Sequence, residues 1–349
     1  MDRELNVAEE IQEVSMGRPH VVVLGAGCSL AAFPRGDREG RRLPLMDNLI
    51  QVLGLEDKLK SSGLADAPGN FEALYSRLAS NDGSARLRED IEKVVMSYFV
   101  QLRMPLGPTI YDHLLLSLRS KDCVATFNWD PFLWDAWERV QLLTPQPPWV
   151  VFLHGNVRLG ICYEHKRFGP ARSKCPVCRS DFIPSPLLFP IEHKDYAKDR
   201  FVEDQWRSLR GYLKSAYLIT IFGYGAPKSD TEAVALMKEA WGRNQDRNLE
   251  EIEIINTRPK EELADTWSDF IHTHHYRTVA NFYDCWIAKH PRRTCEVMWE
   301  ALMECRFVSE NPIPQNDTWP ELEAWIKPLL EAEEANRSAV DINAGSPGV

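Results

Sequence analysis

The chain has 349 residues, 44% of them hydrophobic, which is enough for one large domain or two ordinary ones with a sizeable core. A formal net charge of −10 argues against a polyanion-binding surface as its main role, and no apolar run is long enough to span a membrane. Eight cysteines over this length do not suggest a disulfide scaffold, and with no secretory signal at Met1-Asp2-Arg3-Glu4 the expected location is cytoplasmic.

Residues 3 to about 16 read as a surface helix. His20-Val21-Val22-Val23-Leu24 is a continuous apolar run, the pattern of a parallel strand buried on both faces. It runs into Gly25-Ala26-Gly27-Cys28-Ser29. Two glycines at that spacing let the backbone turn sharply and approach a phosphate at the next helix's positive end. Leu30 stands where a dinucleotide fingerprint has its third glycine, so a plain strand-to-helix turn is the alternative. Residues 34–40 read as a flexible polar loop, with Arg35, Arg38, Arg41 and Arg42 in or beside it. Helical periodicity at 45–55, 71–78, 87–102 and 108–118 makes about 44–120 an all-helical insertion.

The second strand, Asp122-Cys123-Val124-Ala125, leads into Thr126-Phe127-Asn128-Trp129-Asp130-Pro131 and a helix from Phe132. Asn128 and Asp130 thus sit at a strand's carboxyl end, where open α/β sheets bind ligands. A helix cap is the competing reading. Trp149 to Leu153 is the third strand, followed at once by His154-Gly155-Asn156. Cys162-x2-His165-x9-Cys175-x2-Cys178 then offers four soft ligands in two close pairs, which suits tetrahedral, structural zinc in a small module at about 161–183. Asp195 to Leu213 is an amphipathic helix. Ala216 to Phe222 is the fourth strand, turning at Gly223-Tyr224-Gly225, and a helix follows from about Asp230 to Trp241. Ile252 to Asn256 is the fifth strand. Five strands separated by helices describe a doubly wound, mostly parallel, Rossmann-like α/β sheet. Beyond Arg258 the chain reads as helical at 261–276, 280–289, 293–305 and 318–333. His272, His274 and His275 lack a carboxylate frame and read as a polar helix end. The division is a catalytic region at 1–260, C-terminal helices at 261–334 and a disordered tail at 335–349.

The order of these elements resembles the sirtuin family. The resemblance covers roughly residues 20 to 258 and implies an NAD site. Gly25, Ala26, Gly27 and Ser29 would hold the pyrophosphate. Asn128 would meet the nicotinamide ribose and Asp130 the carboxamide. His154 would be the catalytic histidine, Gly223 and Asn256 would embrace the adenosine side, and Cys162, His165, Cys175 and Cys178 would form the zinc module. The departures concern the acyl-lysine side. No Gly-Ile-Pro-Asp-Phe-Arg segment follows the glycine turn, and no Phe-Gly-Glu loop is evident near Leu188-Phe189-Pro190. Gly225 replaces a phosphate-side serine and His165 a zinc cysteine. The pattern is thus more similar to the sirtuin-like NAD hydrolases of bacterial antiviral defence, which implies cleavage of NAD to nicotinamide and ADP-ribose. It also implies control by a homo-oligomer or a partner defence protein. An NAD-dependent protein deacylase and a non-catalytic module binding NAD or ADP-ribose are the alternatives. A dehydrogenase lacks its third glycine and its acidic ribose ligand.

Overall fold

The computed structural model describes residues 4–344 apart from 65, 67, 192–195, 227–229, 244–246, 248, 249, 269, 272–275, 316 and 317. The three histidines at 272, 274 and 275 lie outside the described residues.

Helix α1 (Val7–Gln12) is capped by Asn6 and is shorter than its periodicity suggests. Strand β1 (His20–Leu24) is entirely buried and forms the middle of the main sheet. Helix α2 (Ala26–Ala32) starts directly after Gly25. The loop that follows is not free: the buried Asp37 carboxylate accepts the N–H groups of Glu39, Arg41 and Arg103 and pairs with the Arg41 guanidinium at 3.4 Å. The helical insertion holds α3 (Leu49–Val52), α4 (Glu56–Ser61), α5 (Phe71–Ala79), α6 (Ala85–Gln101) and α7 (Ile110–Leu116). Strand β2 (Cys123–Thr126), α8 (Phe132–Val140) and β3 (Trp149–Phe152) complete the first half.

A small antiparallel sheet of β4 (Leu159–Cys162), β5 (Arg167–Pro170) and β6 (Ile183–Pro184), in the order β5-β4-β6, carries Cys162 on β4 and frames Cys175 and Cys178 between β5 and β6. Helix α9 (Arg200–Ser215) leads to β7 (Leu218–Phe222), α10 (Thr231–Trp241), β8 (Glu251–Ile255), α11 (Lys260–Thr266) and β9 (Tyr276–Val279). The main sheet is six-stranded, ordered β3-β2-β1-β7-β8-β9, with every described pairing parallel. Counted along the chain, this is the 3-2-1-4-5-6 order of doubly wound dinucleotide-binding sheets, and the order reverses between β1 and β7.

Two expectations are corrected here. The segment after Arg258 is not all helical, because β9 joins the sheet beside β8 with Glu253 opposite Arg277. Its mixed, half-buried residues give no apolar run to read. The C-terminal segment contains α12 (Trp286–Lys289), α13 (Thr294–Met303) and α14 (Trp319–Ala344). Helix α14 continues to Ala344, into the segment from 335 for which the sequence suggests a disordered tail.

These C-terminal helices pack into the body of the protein. Arg292 and Arg293 both pair with Glu333 on α14, and Arg292 also donates to the carbonyls of Leu116 and Leu118. His290 meets Glu10 of α1 at 2.7 Å. Buried charges survive only when paired in this way. Among the described residues no helix is long and apolar enough to cross a membrane.

Candidate active site

The loops after β1 and β7 meet at the point where the strand order reverses. The Gly25 N–H donates to the Phe222 carbonyl and the Gly27 N–H to the Gly223 carbonyl, both at 3.0 Å. Gly223 has φ +63, and a Cβ there would lie 2.2 Å from the Cys28 nitrogen. The glycines of this turn thus allow backbone to lie on backbone, and one amide expected to face a phosphate is engaged within the fold.

A buried chain of polar groups links four elements below this turn. The Ser29 hydroxyl of α2 donates to Asp130 Oδ2 at 2.6 Å. With its one proton committed there, its oxygen accepts from the Tyr111 hydroxyl of α7 at 2.7 Å. Asn128 Nδ2 donates to the Gly25 carbonyl at 3.0 Å, to Ser29 Oγ at 3.0 Å and to the Tyr111 oxygen at 3.3 Å. Three acceptors around the nitrogen fix the amide's orientation and leave Oδ1 as the atom open to a ligand or water. Asp130 Oδ1 accepts the Phe132 N–H at the start of α8, so this carboxylate does support the helix start. Burial pushes its pKa up to about 6, against the lowering hydrogen bonds from Ser29 and the Phe132 amide.

His154 follows β3 and is buried against the Phe127 ring at 4.8 Å and the Tyr196 ring at 5.9 Å. Its Nε2 lies 3.3 Å from the Tyr196 hydroxyl and 4.0 Å from Asp230 Oδ1. Tyr224, stacked on Phe127 at 4.1 Å, donates to the other oxygen of Asp230 at 3.0 Å. A carboxylate at this distance stabilises the imidazolium that forms when His154 accepts a proton. Gly155 turns the chain at φ +77, with the Pro186 carbonyl so close that a Cβ would lie 1.7 Å from it.

One cavity of about 560 Å³ is lined by Gly25, Ala26, Gly27, Ser29, Asn128, Asp130, His154, Gly223 and Asn256 together. Its volume falls within the roughly 300–1,000 Å³ of ligand sites. Asn256, just after β8, accepts the Arg258 N–H on its Oδ1 at 3.0 Å. Arg258 is the cavity's one Lys or Arg side chain among the described residues, and its buried Nη2 has no hydrogen-bond partner. The indole nitrogen of Trp129, also in the wall, is likewise buried without one. Sequence reading missed Tyr111, Tyr196, Asp230, Trp129 and Arg258 as site residues. Trp129 and Arg258 neighbour motif residues, whereas Tyr111 and Tyr196 arrive through tertiary packing alone.

The side of the cavity near Leu188 and Pro190 is bordered by a run of rings, two of them from the helical insertion. Tyr75 of α5 stacks on Phe189 at 4.9 Å, Phe189 meets Trp129 at 4.9 Å, and Trp129 meets Phe99 of α6 at 5.8 Å. The Ser76 hydroxyl donates to the Pro190 carbonyl at 3.2 Å.

Away from the cavity, the donor atoms of Cys162, His165, Cys175 and Cys178 all lie within 4.8 Å of one another. The sulfurs of Cys162 and Cys178 are 3.7 Å apart, and His165 Nδ1 is 3.5 Å from the Cys162 sulfur. Zinc–sulfur bonds of about 2.3 Å in a tetrahedron put sulfurs roughly 3.8 Å apart, so the set fits zinc. The Ser180 amide and hydroxyl near its sulfur pull the Cys178 thiol down to about 6, favouring the thiolate a metal needs. With four protein donors the metal would hold the small sheet together and leave no position for substrate.

The fold is thus a doubly wound Rossmann-like α/β sheet with a helical insertion, a Cys/His cluster able to hold zinc, and C-terminal helices. No protein-family model matches the sequence, and no curated protein matches it. Among solved structures the chain is similar to a Sir2 homologue in complex with NAD, at 16% identity and TM-score 0.37, covering 86% of this chain and 94% of that one. A structure described for the mechanism and regulation of Sir2 enzymes is 13% identical, with TM-score 0.39 and coverages of 86% and 97%. A Sir2 homologue variant in complex with ADP-ribose is 14% identical, with TM-score 0.39 and coverages of 94% and 97%. What the site can do follows from its own geometry.

Proposed function

We propose that the protein is a sirtuin-like NAD hydrolase that cleaves NAD to nicotinamide and ADP-ribose. The observation that carries this reading is that Asn128, Asp130 and His154 line the same cavity as the glycine turn and Asn256, at the reversal point of the sheet. In this reading the pyrophosphate lies by Gly25–Gly27, and Arg258 supplies a cation on the Asn256 side. The nicotinamide ribose reaches Asn128 and His154, and Asp130 faces the carboxamide.

Nicotinamide leaves as a neutral base. The glycosidic C–N bond breaks with its electron pair going to the ring nitrogen, through an oxocarbenium-like state. Asn128 Oδ1 orients the water whose oxygen forms the new bond to the sugar carbon. His154 takes the proton released, and Asp230 stabilises the imidazolium until the proton passes to solvent. Buried Asp130 adds a fixed negative charge near the developing cation at neutral pH.

The aromatic stack from Tyr75 to Phe99 supports hydrolysis over deacylation, because it packs on the 188–190 segment, where the sequence resemblance would place a peptide-pairing loop. The Cys/His cluster favours the second reading, an NAD-dependent deacylase. The expected role in antiviral NAD depletion follows from the sequence resemblance, and an enzyme of that kind needs an off state held by an oligomer or partner.

Incubating the purified chain with NAD, with and without an acetyl-lysine peptide, separates the readings. Nicotinamide release independent of peptide is the expected result. Release that requires peptide and matches deacetylation one for one would replace hydrolase by deacylase. ADP-ribose binding without any release would reduce the site to a sensor.

A further inference from the structure

A second cavity, of about 450 Å³, lies at the opposite end of β3 and shares no lining residue with the first. Its walls are aromatic: Trp134 and Trp137 of α8, Trp149 of β3, Phe168 of β5 and Phe201 of α9. Trp134 and Trp137 stack at 5.4 Å, and Trp149 remains 47% exposed. Aromatic surface gathered in a concave, polar-rimmed cleft is the kind that ligand sites use.

The rest of the lining is not that of a plain apolar groove. Lys166, Arg167 and Arg200 stand exposed around it, and none of the three is in an ion pair among the described residues. The one carboxylate in the lining, Asp204, is paired with Arg207 at 2.6 Å. In a chain of net charge −10, three uncompensated cations around one cleft mark an anion site.

The cleft also offers donors for the edge of a flat ring. Gln205 is buried, and its Oε1 accepts the outward N–H of Phe152 at 3.0 Å. That bond fixes the amide and leaves Nε2 as a donor with no partner among the described residues. Strand β3 is the edge of the sheet, and outward amides alternate along it, so the N–H of Val150 faces outward too.

We propose that this cleft binds a mononucleotide, with the base on the tryptophan wall and the phosphate among Lys166, Arg167 and Arg200. Aromatic faces take a planar ring, and guanidinium groups take a phosphate. The cleft's volume of about 450 Å³ and the acidic net charge fit one nucleotide and not a polymer. The proposal stands independently of the reaction in the first cavity.

Calorimetric titration of the full chain with AMP, UMP and inorganic phosphate tests it. Trp149→Ala and Arg167→Glu alter exposed side chains and leave the fold intact. The expected result is saturable binding of a nucleotide that weakens roughly tenfold or more in each of these variants. Phosphate alone binds at least roughly tenfold more weakly, because it has no ring to stack. Asn128→Ala, in the other cavity, leaves this binding in place. Absence of nucleotide binding, binding equal in wild type and both cleft variants, or loss in Asn128→Ala alone would overturn the proposal. Phosphate binding as tightly as the nucleotides would do so too.

Discussion

The Asp130 carboxylate is buried where its charge is costly to hold. Its carboxyl titrates near about 6, above the ordinary 3.8, because burial outweighs its hydrogen bonds. Between those two values the folded chain holds a proton that the unfolded chain releases, so stability falls as pH rises through the window. Above about 6 the full cost is present, at most about 3 kcal/mol. Asp130→Asn therefore raises the melting temperature at pH 8 while abolishing NAD cleavage, and the gain shrinks below pH 5. Thermal melts across this range check it; a lower melting temperature at pH 8 would show that the carboxylate is net stabilising. The place of Asn128, Asp130 and His154 in the cavity wall was legible in the sequence because each follows an apolar strand. Tyr111 was not, since its place beside Ser29 depends on where α7 packs. The cap reading of the central motif was half right, because Asp130 accepts an α8 amide while Asn128 is turned toward the glycine loop.

Among the elements, the contact between the β1 and β7 turns sets the site's shape. Gly223→Ala would put a Cβ against the Cys28 backbone in a left-handed conformation, and a loss on the order of 2–4 kcal/mol follows. Denaturant melts measure it, and a loss below about 0.5 kcal/mol would mean that the two turns part readily. The Cys/His module is a second such element. Zinc should co-purify stoichiometrically, and Cys175→Ser should lose it and loosen residues 159–184 with the main sheet intact. Metal analysis and limited proteolysis test this; zinc retained in the variant would remove the assignment. The buried strands were readable as apolar runs. Strand β9 and the strands β4 to β6 were not, because they are short, half-exposed or built around the Cys/His cluster instead of a hydrophobic face.

Across the whole molecule, the N- and C-terminal segments close on the sheet through buried polar groups that hydrophobic periodicity cannot reveal. Glu10 with His290, and Glu333 with Arg292 and Arg293, are visible only once the fold brings them together. Two other buried histidines weaken the fold in acid. Burial lowers His20 to about 3 and His113 to about 4, against an ordinary 6.5. Below pH 6.5 the unfolded chain takes up protons that the folded chain refuses, so stability falls as pH falls. The slope is up to about 1.4 kcal/mol per pH unit for each histidine. Urea melts of His20→Gln/His113→Gln between pH 7 and 5 should show a much flatter pH dependence than wild type, and an unchanged slope would assign the acid limit to the carboxylates.

The central claim is that loops at the ends of successive strands grip one dinucleotide, with an imidazole beside its sugar. The most direct measurement is NAD turnover and ADP-ribose affinity of His154→Ala side by side. The expected result is ADP-ribose affinity within a few-fold of wild type and NAD cleavage reduced on the order of a hundredfold or more. NAD cleavage at the wild-type rate by this variant would contradict it.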